Sequence, residues 1–221
     1  EAGQIFVNGR MVDELMLGSR SFMKGNKQVL MENLPYYTVK DIKVYDRQSD
    51  KSKALGYDVD PKKFVMDVNL KQEYQRGYIA NIEGALGTED RWLARAFALG
   101  FTDHLRLTLL GNVNNVNESR HIGESDHWTP ASMPQSMVTT RSVATEIDYH
   151  TKGDKLKETF SADYTSTTDE QEMRQRYEQF LARGTPLSIS AMRNRSGNRQ
   201  VKLHNTFSLT KPFYLKTEID F

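Results

Sequence analysis

Cysteine is missing from all 221 residues, which removes disulfides, thiolate nucleophiles and cysteine-based metal sites at once. Also missing is any uninterrupted apolar run of about eighteen residues, so no segment can cross a bilayer as a helix. Charge of one sign is missing too. The 30 basic and 29 acidic residues give a formal net charge of +1, which supplies no long-range attraction to nucleic acid or to anionic surfaces. No internal repeat or low-complexity tract occurs. No pair of carboxylates, Ser-His-Asp set or phosphate-cradling glycine loop stands out, and Gly84, Gly87 and Gly100 read as turn or close-packing residues, so no enzymatic activity and no cofactor are expected. A mean hydropathy of −0.66 leaves one membrane class open, because only every second residue of a barrel strand meets lipid while its neighbour faces a polar interior.

What the chain does have is strict alternation of apolar and polar residues over stretches of about nine to eleven positions, the length that spans a bilayer as a tilted strand. Phe213, Leu215, Ile219 and Phe221 share one face while Lys216, Glu218 and Asp220 share the other. Val201, Leu203, Phe207 and Leu209 oppose Lys202, His204, Thr206 and Ser208. Leu156, Phe160, Ala162 and Tyr164 oppose Lys157, Thr159, Ser161 and Asp163. Val143, Thr145, Ile147 and Tyr149 oppose Ala144, Glu146, Asp148 and His150. Leu105, Leu107, Leu109 and Val113 oppose Arg106, Thr108 and Asn112, and Phe64, Met66, Val68 and Leu70 oppose Asp67, Asn69 and Lys71. A period of two fits no helix. Trp92 to Phe101 also alternates, but with alanine and glycine against larger residues, so its faces stay unassigned. Glu170 to Ala182 reads equally as a short amphipathic helix or as an extended strand.

Residues 1–60 behave differently and read as a small α+β unit. Gln4 to Val12 forms a short strand broken by an Asn-Gly turn. Asn26 caps a helix carrying Val29, Leu30, Met31 and Leu34, and Pro35 ends it by pushing the preceding residue out of the α region. A further turn from Tyr36 to Lys40 leads into a strand over Asp41 to Tyr45. The polar stretch from Asp46 to Lys63 has no apolar period and reads as a linker. Residues 61–221 then supply antiparallel strands joined by short connections at Gly87–Asp90, Thr102–His104, Lys152–Asp154 and Lys211–Pro212, and by long ones from Asn114 to about Gln135 and from Thr167 to Gly184. Short turns on one rim and long loops on the other are how membrane barrels are built. The chain starts at Glu1 with neither initiator Met nor signal segment and stops in mid-strand at Phe221, which reads as a portion of a larger protein.

Several motifs in order give this a family likeness. Ile5-Phe6-Val7-Asn8-Gly9 resembles the "I-x-V-(D/N)-G" strand of a plug domain. Leu30 to Pro35 followed by Val39 to Arg47 resembles the plug's "LPxxxIxxIxVYD" helix-to-strand element. Val68-Asn69-Leu70-Lys71 with Gly77-Tyr78 resembles the entry to the first barrel strands. Gly87-Thr88-Glu89-Asp90-Arg91-Trp92 and Gly111 to Asn117 are similar to a family turn and a strand end. The chain therefore resembles the TonB-dependent receptor-like outer-membrane β-barrel family of Gram-negative bacteria. Ordered motifs cover residues 4–117 and strand pattern alone covers the rest. Ala80 stands where the family more often has glycine, and no TonB box is visible.

The resemblance implies a mainly β fold, an antiparallel transmembrane β-barrel segment preceded by a small α+β plug, lying in the outer membrane. It implies uptake of a nutrient ligand, with outer-membrane lipid, a TonB-type energy-coupling protein and a surface lipoprotein as partners. Candidate lumen-facing residues are Arg106, Glu146, Asp148, Lys157, Lys202 and Lys216, serving hydration and selectivity. Aromatics near strand ends, Tyr74, Tyr78, Trp92, Tyr149, Tyr164, Phe213 and Phe221, would form interfacial girdles. In the long loop, Trp128 is the candidate external ligand contact. His121, Glu124, Asp126 and His127 lie beside it, but a solvated loop explains them and no metal is assigned. Two other classes share the pattern: a soluble α+β binding module whose sheet packs on the N-terminal helices, and an outer-membrane barrel that serves adhesion or assembly.

Overall fold

The computed structural model describes residues 4–23, 27–118, 136–153, 155–179, 187–210 and 214–221. Strand accounts for 67% and helix for 9%, the mainly β class that the alternation predicts. The chain opens with a hairpin of β1 (Phe6–Val7) and β2 (Arg10–Met11). Its loop is Asn8 and Gly9, both at positive φ, the conformation that an Asn-Gly pair enters at least cost. A second two-residue turn, Gly18 and Ser19, also at positive φ, joins β3 (Glu14–Leu17) to β4 (Arg20–Ser21). Helix α1 (Lys27–Asn33) follows and stops before Pro35, as expected, and a short 3-10 turn over Tyr36–Thr38 delivers β5 (Val39–Arg47). Asn26, the expected cap, lies outside the described residues.

Two expectations for the next stretch are corrected. The polar segment read as a linker contains helix α2 (Asp50–Leu55). Ser49 caps it by accepting a hydrogen bond from the Ser52 amide, and Gly56 closes it in the left-handed conformation at φ 78°. Caps, a first-turn Asp50 and a last-turn Lys53 make a helix here without any apolar stripe. The second correction concerns β6 (Lys63–Leu70), whose alternation placed it among the barrel strands. It pairs in parallel with β3 and antiparallel with β5, inside a four-stranded sheet of order β4-β3-β6-β5. Val65, Met66, Asp67 and Val68 are all buried. A central strand covered on both faces can still alternate in polarity, provided its polar side chains are satisfied. Asp67 is, by the amide and hydroxyl of Ser19, each at 2.8 Å.

The rest of the chain forms one seven-stranded antiparallel meander: β7 (Gly77–Leu86), β8 (Trp92–Phe101), β9 (Leu105–Asn114), β10 (Met137–His150), β11 (Leu156–Glu178), β12 (Leu187–Leu209) and β13 (Leu215–Asp220). The sheet is open, since β7 and β13 do not pair with each other. β8 and β9, β10 and β11, and β12 and β13 follow one another at one rim, while β7 and β8, β9 and β10, and β11 and β12 do so at the other, where the 87–91 turn is short as well. Beyond Glu170, β11 has no β10 partner, so Gln171–Glu178 projects as a two-stranded ribbon with β12. The segment that propensity left between helix and strand is thus strand through Glu178, because a ladder to β12 satisfies its backbone.

The apolar core lies between the N-terminal unit and the near face of β8 to β10. Phe97, Leu99, Phe101 and Leu110 from the large sheet meet Val12, Leu15, Phe22, Val29, Leu30, Met66 and Val68. At about 1.5–3 kcal/mol for each fully buried large apolar side chain, this contact is the main attachment of the N-terminal unit to the sheet.

Candidate functional site

Sheet register sorts the seven strands into two faces. On the face away from the N-terminal unit, the pairings Ala98-Leu109-Thr145-Ala162-Leu203-Phe221 and Ala96-Gly111-Val143-Tyr164-Val201 run from strand to strand. This face is exposed: Leu107 is 45% accessible, Leu109 43% and Val143 47%, and at its edge Tyr78 and Leu86 are near 90%. Along β10 the uncharged outward band from Val143 to Tyr149 measures about 20 Å at roughly 3.3 Å per residue. Arg141 and Glu158 mark the charged positions at its two ends. Tyr78, Tyr149, Tyr164 and Phe221 stand on this outward face. Tyr74 does not, because it packs beside the core with its ring 5.9 Å from Tyr37. Phe213 lies outside the described residues.

The opposite face carries the polar residues, and over β9 and β10 they are buried. Arg106 is 2% exposed, while Thr108, Asn112 and Asn114 have no accessible surface. Trp92 to Phe101, unassignable by pattern, resolves here. Leu93, Phe97, Leu99 and Phe101 point toward the N-terminal unit, and Ala94, Ala96, Ala98 and Gly100 point outward. The large residues are inside because β8 sits over the core, whereas its outward positions lie beside leucines of β9.

Arg106 anchors a charged cluster that ties the two units together. Its Nη2 donates to the Ser21 carbonyl and lies 3.5 Å from Glu146 Oε1 and 3.3 Å from Asp148 Oδ2. Asp148 also takes Arg20 Nη1 at 3.2 Å and the Thr159 hydroxyl at 3.2 Å. Glu146 accepts the Met23 amide at 3.0 Å. The guanidinium sits 5.5 Å from the Phe22 ring centre, within cation–π range. Its Nε and Nη1 are buried without a hydrogen-bond partner among the described residues. Two arginines against two carboxylates make the cluster neutral, which is how charges survive burial.

Beside it a cavity of about 520 Å³ opens between the N-terminal sheet and the rim where β9 follows β8, lined among others by Arg20, Lys40, Lys43, Phe101, Arg106 and His150. At that rim Asp103 accepts from Arg76 Nε at 3.0 Å. This hydrogen bond holds the Asp103 carboxyl below the usual carboxylate range. In the N-terminal unit, burial first and the Asp67 carboxylate second push the Tyr45 hydroxyl above its ordinary value.

Of the residues expected to line a lumen, Arg106, Glu146 and Asp148 come together in the buried cluster. Lys157 lies on the same face, 3.6 Å from Asp50 of α2. Lys202 and Lys216 share that face but are exposed, away from the N-terminal unit, with Lys216 Nζ 3.1 Å from Glu218. Trp128, with His121, Glu124, Asp126 and His127, lies outside the described residues. Reading the sequence missed Arg20 and Asp50, whose partners are over a hundred positions away and leave no local signal. It also missed the proximity of His204 to Asp220 and Glu218. A signal for that existed, since reflecting the chain about the expected turn at Pro212 pairs His204 with Asp220.

No protein family, curated protein or solved structure matches this chain.

Proposed function

We propose that the chain is the plug and the first strands of an outer-membrane β-barrel resembling TonB-dependent receptors, and that it takes part in uptake of a nutrient ligand. The observation that supports this is the reversal of burial over β9 and β10. In a water-soluble sheet the apolar face is covered and the charged face meets solvent. Here leucines, valines and tyrosines stand exposed while Arg106, Glu146, Asp148, Asn112 and Asn114 are covered. A band of that kind is the surface a bilayer covers, and in a barrel the polar face opposite it is the wall of a lumen. In this reading the N-terminal unit blocks the lumen, and Arg106, Glu146, Asp148 and Lys157 hold it against the wall. Outer-membrane lipid is the first partner, and energy coupling through TonB and a surface lipoprotein belong to the parent protein.

An unpaired backbone group in lipid costs several kcal/mol. The free edges of β7 and β13 therefore require further strands in the working protein. The test is extraction. Expressed in a Gram-negative host, the parent protein is expected in the outer-membrane fraction, soluble only with detergent, and folded protein should migrate differently from boiled protein on a gel. A monodisperse, cooperatively melting monomer of this chain without detergent would overturn the reading in favour of a soluble binding module. Loss of growth on one nutrient after deletion of the parent gene separates transport from adhesion or assembly.

A further inference from the structure

Strands β12 and β13 carry a cluster that neither the core nor the charged interface uses. Leu203 and Phe221 exchange both backbone hydrogen bonds, at 3.0 and 2.9 Å. The next pair, His204 with Asp220, is therefore of the non-hydrogen-bonded type, in which facing side chains approach most closely. Thr206 with Glu218 is the following pair of that type on the same face. Three donor-bearing side chains thus converge by register alone. One ligand atom from each of His204, Glu218 and Asp220 lies within 4.8 Å of the others. Asp220 meets His204 Nδ1, and at the other ring nitrogen, Nε2, the Thr206 hydroxyl lies at 2.8 Å and Glu218 Oε1 at 3.8 Å; an ion takes one of the two nitrogens, so one carboxylate swings along the ring edge to join the other. The imidazole is 7% exposed, so the protein and not solvent sets its orientation. One carboxylate would suffice to orient a histidine. The second adds a negative charge whose only nearby cation among the described residues is Lys216, at 3.1 Å from Glu218.

We propose that His204, Glu218 and Asp220 bind a divalent transition-metal ion, with Zn²⁺ the best match to one imidazole and two carboxylates. Ligand bonds of about 2.0–2.2 Å place donor atoms roughly 3.3 Å apart in a tetrahedral site, so the widest separations need to close by no more than about 1.5 Å, while Asp220, already in contact with Nδ1, draws back to admit the ion. Three protein ligands leave a fourth position open, which makes the ion exchangeable or available to a ligand. Lys216 is the built-in competitor, releasing Glu218 when the ion arrives. The His104–His150 pair, with rings 5.6 Å apart, is the other histidine cluster among the described residues. Its neighbouring carboxylate, Asp103, is already taken by Arg76. The proposal does not rest on the transport reading, since the ligands come from register in either case.

The experiment titrates the full chain, in the detergent or buffer that keeps it folded, with Zn²⁺ by calorimetry and with Co²⁺ by its visible ligand-field absorption. One equivalent is expected. His204→Ala and Glu218→Gln should each weaken binding by roughly tenfold or more, the scale of losing a metal-site group. Lys216→Met should strengthen it, and His104→Ala with His150→Ala should leave it unchanged. Circular dichroism checks that each variant is folded. Should His204→Ala fail to fold, Lys216→Met decides, because it removes a competitor and no ligand. A folded wild-type chain with no Co²⁺ band, unchanged binding in His204→Ala or Lys216→Met, or binding lost only with His104 and His150 would each overturn the assignment.

Discussion

Replacing Leu109 by arginine asks what solvent its face meets. Leu109 is the middle outward position of β9, with Leu105 and Leu107 on one side and Gly111 and Val113 on the other, and it pairs with Ala98 and Thr145 across the sheet. Being 43% exposed, it fills no cavity, and the new side chain clashes with nothing it could not swing away from. If water covers this face, the substitution stays within about 0.5 kcal/mol. If hydrocarbon covers it, an arginine near the midplane costs about 2–4 kcal/mol, a change of roughly 30- to 900-fold in the folded-to-unfolded ratio at about 1.36 kcal/mol per decade. The assay is urea unfolding of the protein in lipid vesicles, followed by tryptophan fluorescence. Ile189→Arg is the control, because Ile189 is exposed on the projecting ribbon, beyond the apolar band. It should change stability by no more than about 0.5 kcal/mol in either setting. Equal and small effects at Leu109 and Ile189 would refute the lipid-facing assignment.

Three further outcomes follow from the interface and the N-terminal unit. Glu146→Ala leaves Arg106 with Asp148 and the Ser21 carbonyl but gives the buried cluster one positive charge in excess and leaves the Met23 amide without its acceptor, so it should cost about 3 kcal/mol, visible in thermal melts and as faster proteolysis near residues 20–23. Ser49→Ala removes the cap of α2 and should cost about 1 kcal/mol, read from denaturant midpoints. The Asp103 carboxyl is held below its ordinary value of 3.8 by Arg76. A depressed carboxyl stabilises the fold above that ordinary value and loses its contribution as pH falls through the lowered one. Wild type should therefore melt above Asp103→Asn at neutral pH, by a margin that shrinks with salt because the pair is exposed, and the two should coincide in strong acid.

Much of the architecture was legible in local chemistry. The Asn8-Gly9 turn, the stop before Pro35 and the short connection at Thr102–His104 all follow from local backbone preferences, which tertiary contacts rarely reverse. Helix α2 was missed because its signal is capping by Ser49 and Gly56 and not periodicity. Strand β6 was misplaced because alternation cannot distinguish a polar side chain facing a lumen from one, Asp67, satisfied by a turn two strands away in sequence order. In the candidate site, the residues of the Arg106 cluster that lie on β9 and β10 were named from pattern. Arg20 and the backbone of Ser21 and Met23 were not, since nothing local marks a group whose partner is 128 positions distant.

By itself the amino-acid order determined which residues stand together, because a period of two admits only one partition of a strand into two faces. It was silent on which of those faces is covered. Tertiary structure decided that, by docking the N-terminal unit on the charged side of β9 and β10 and leaving the aliphatic side bare. The physical reason is that burial depends on what lies opposite a face, and the groups opposite Arg106 come from a segment some eighty residues earlier in the chain.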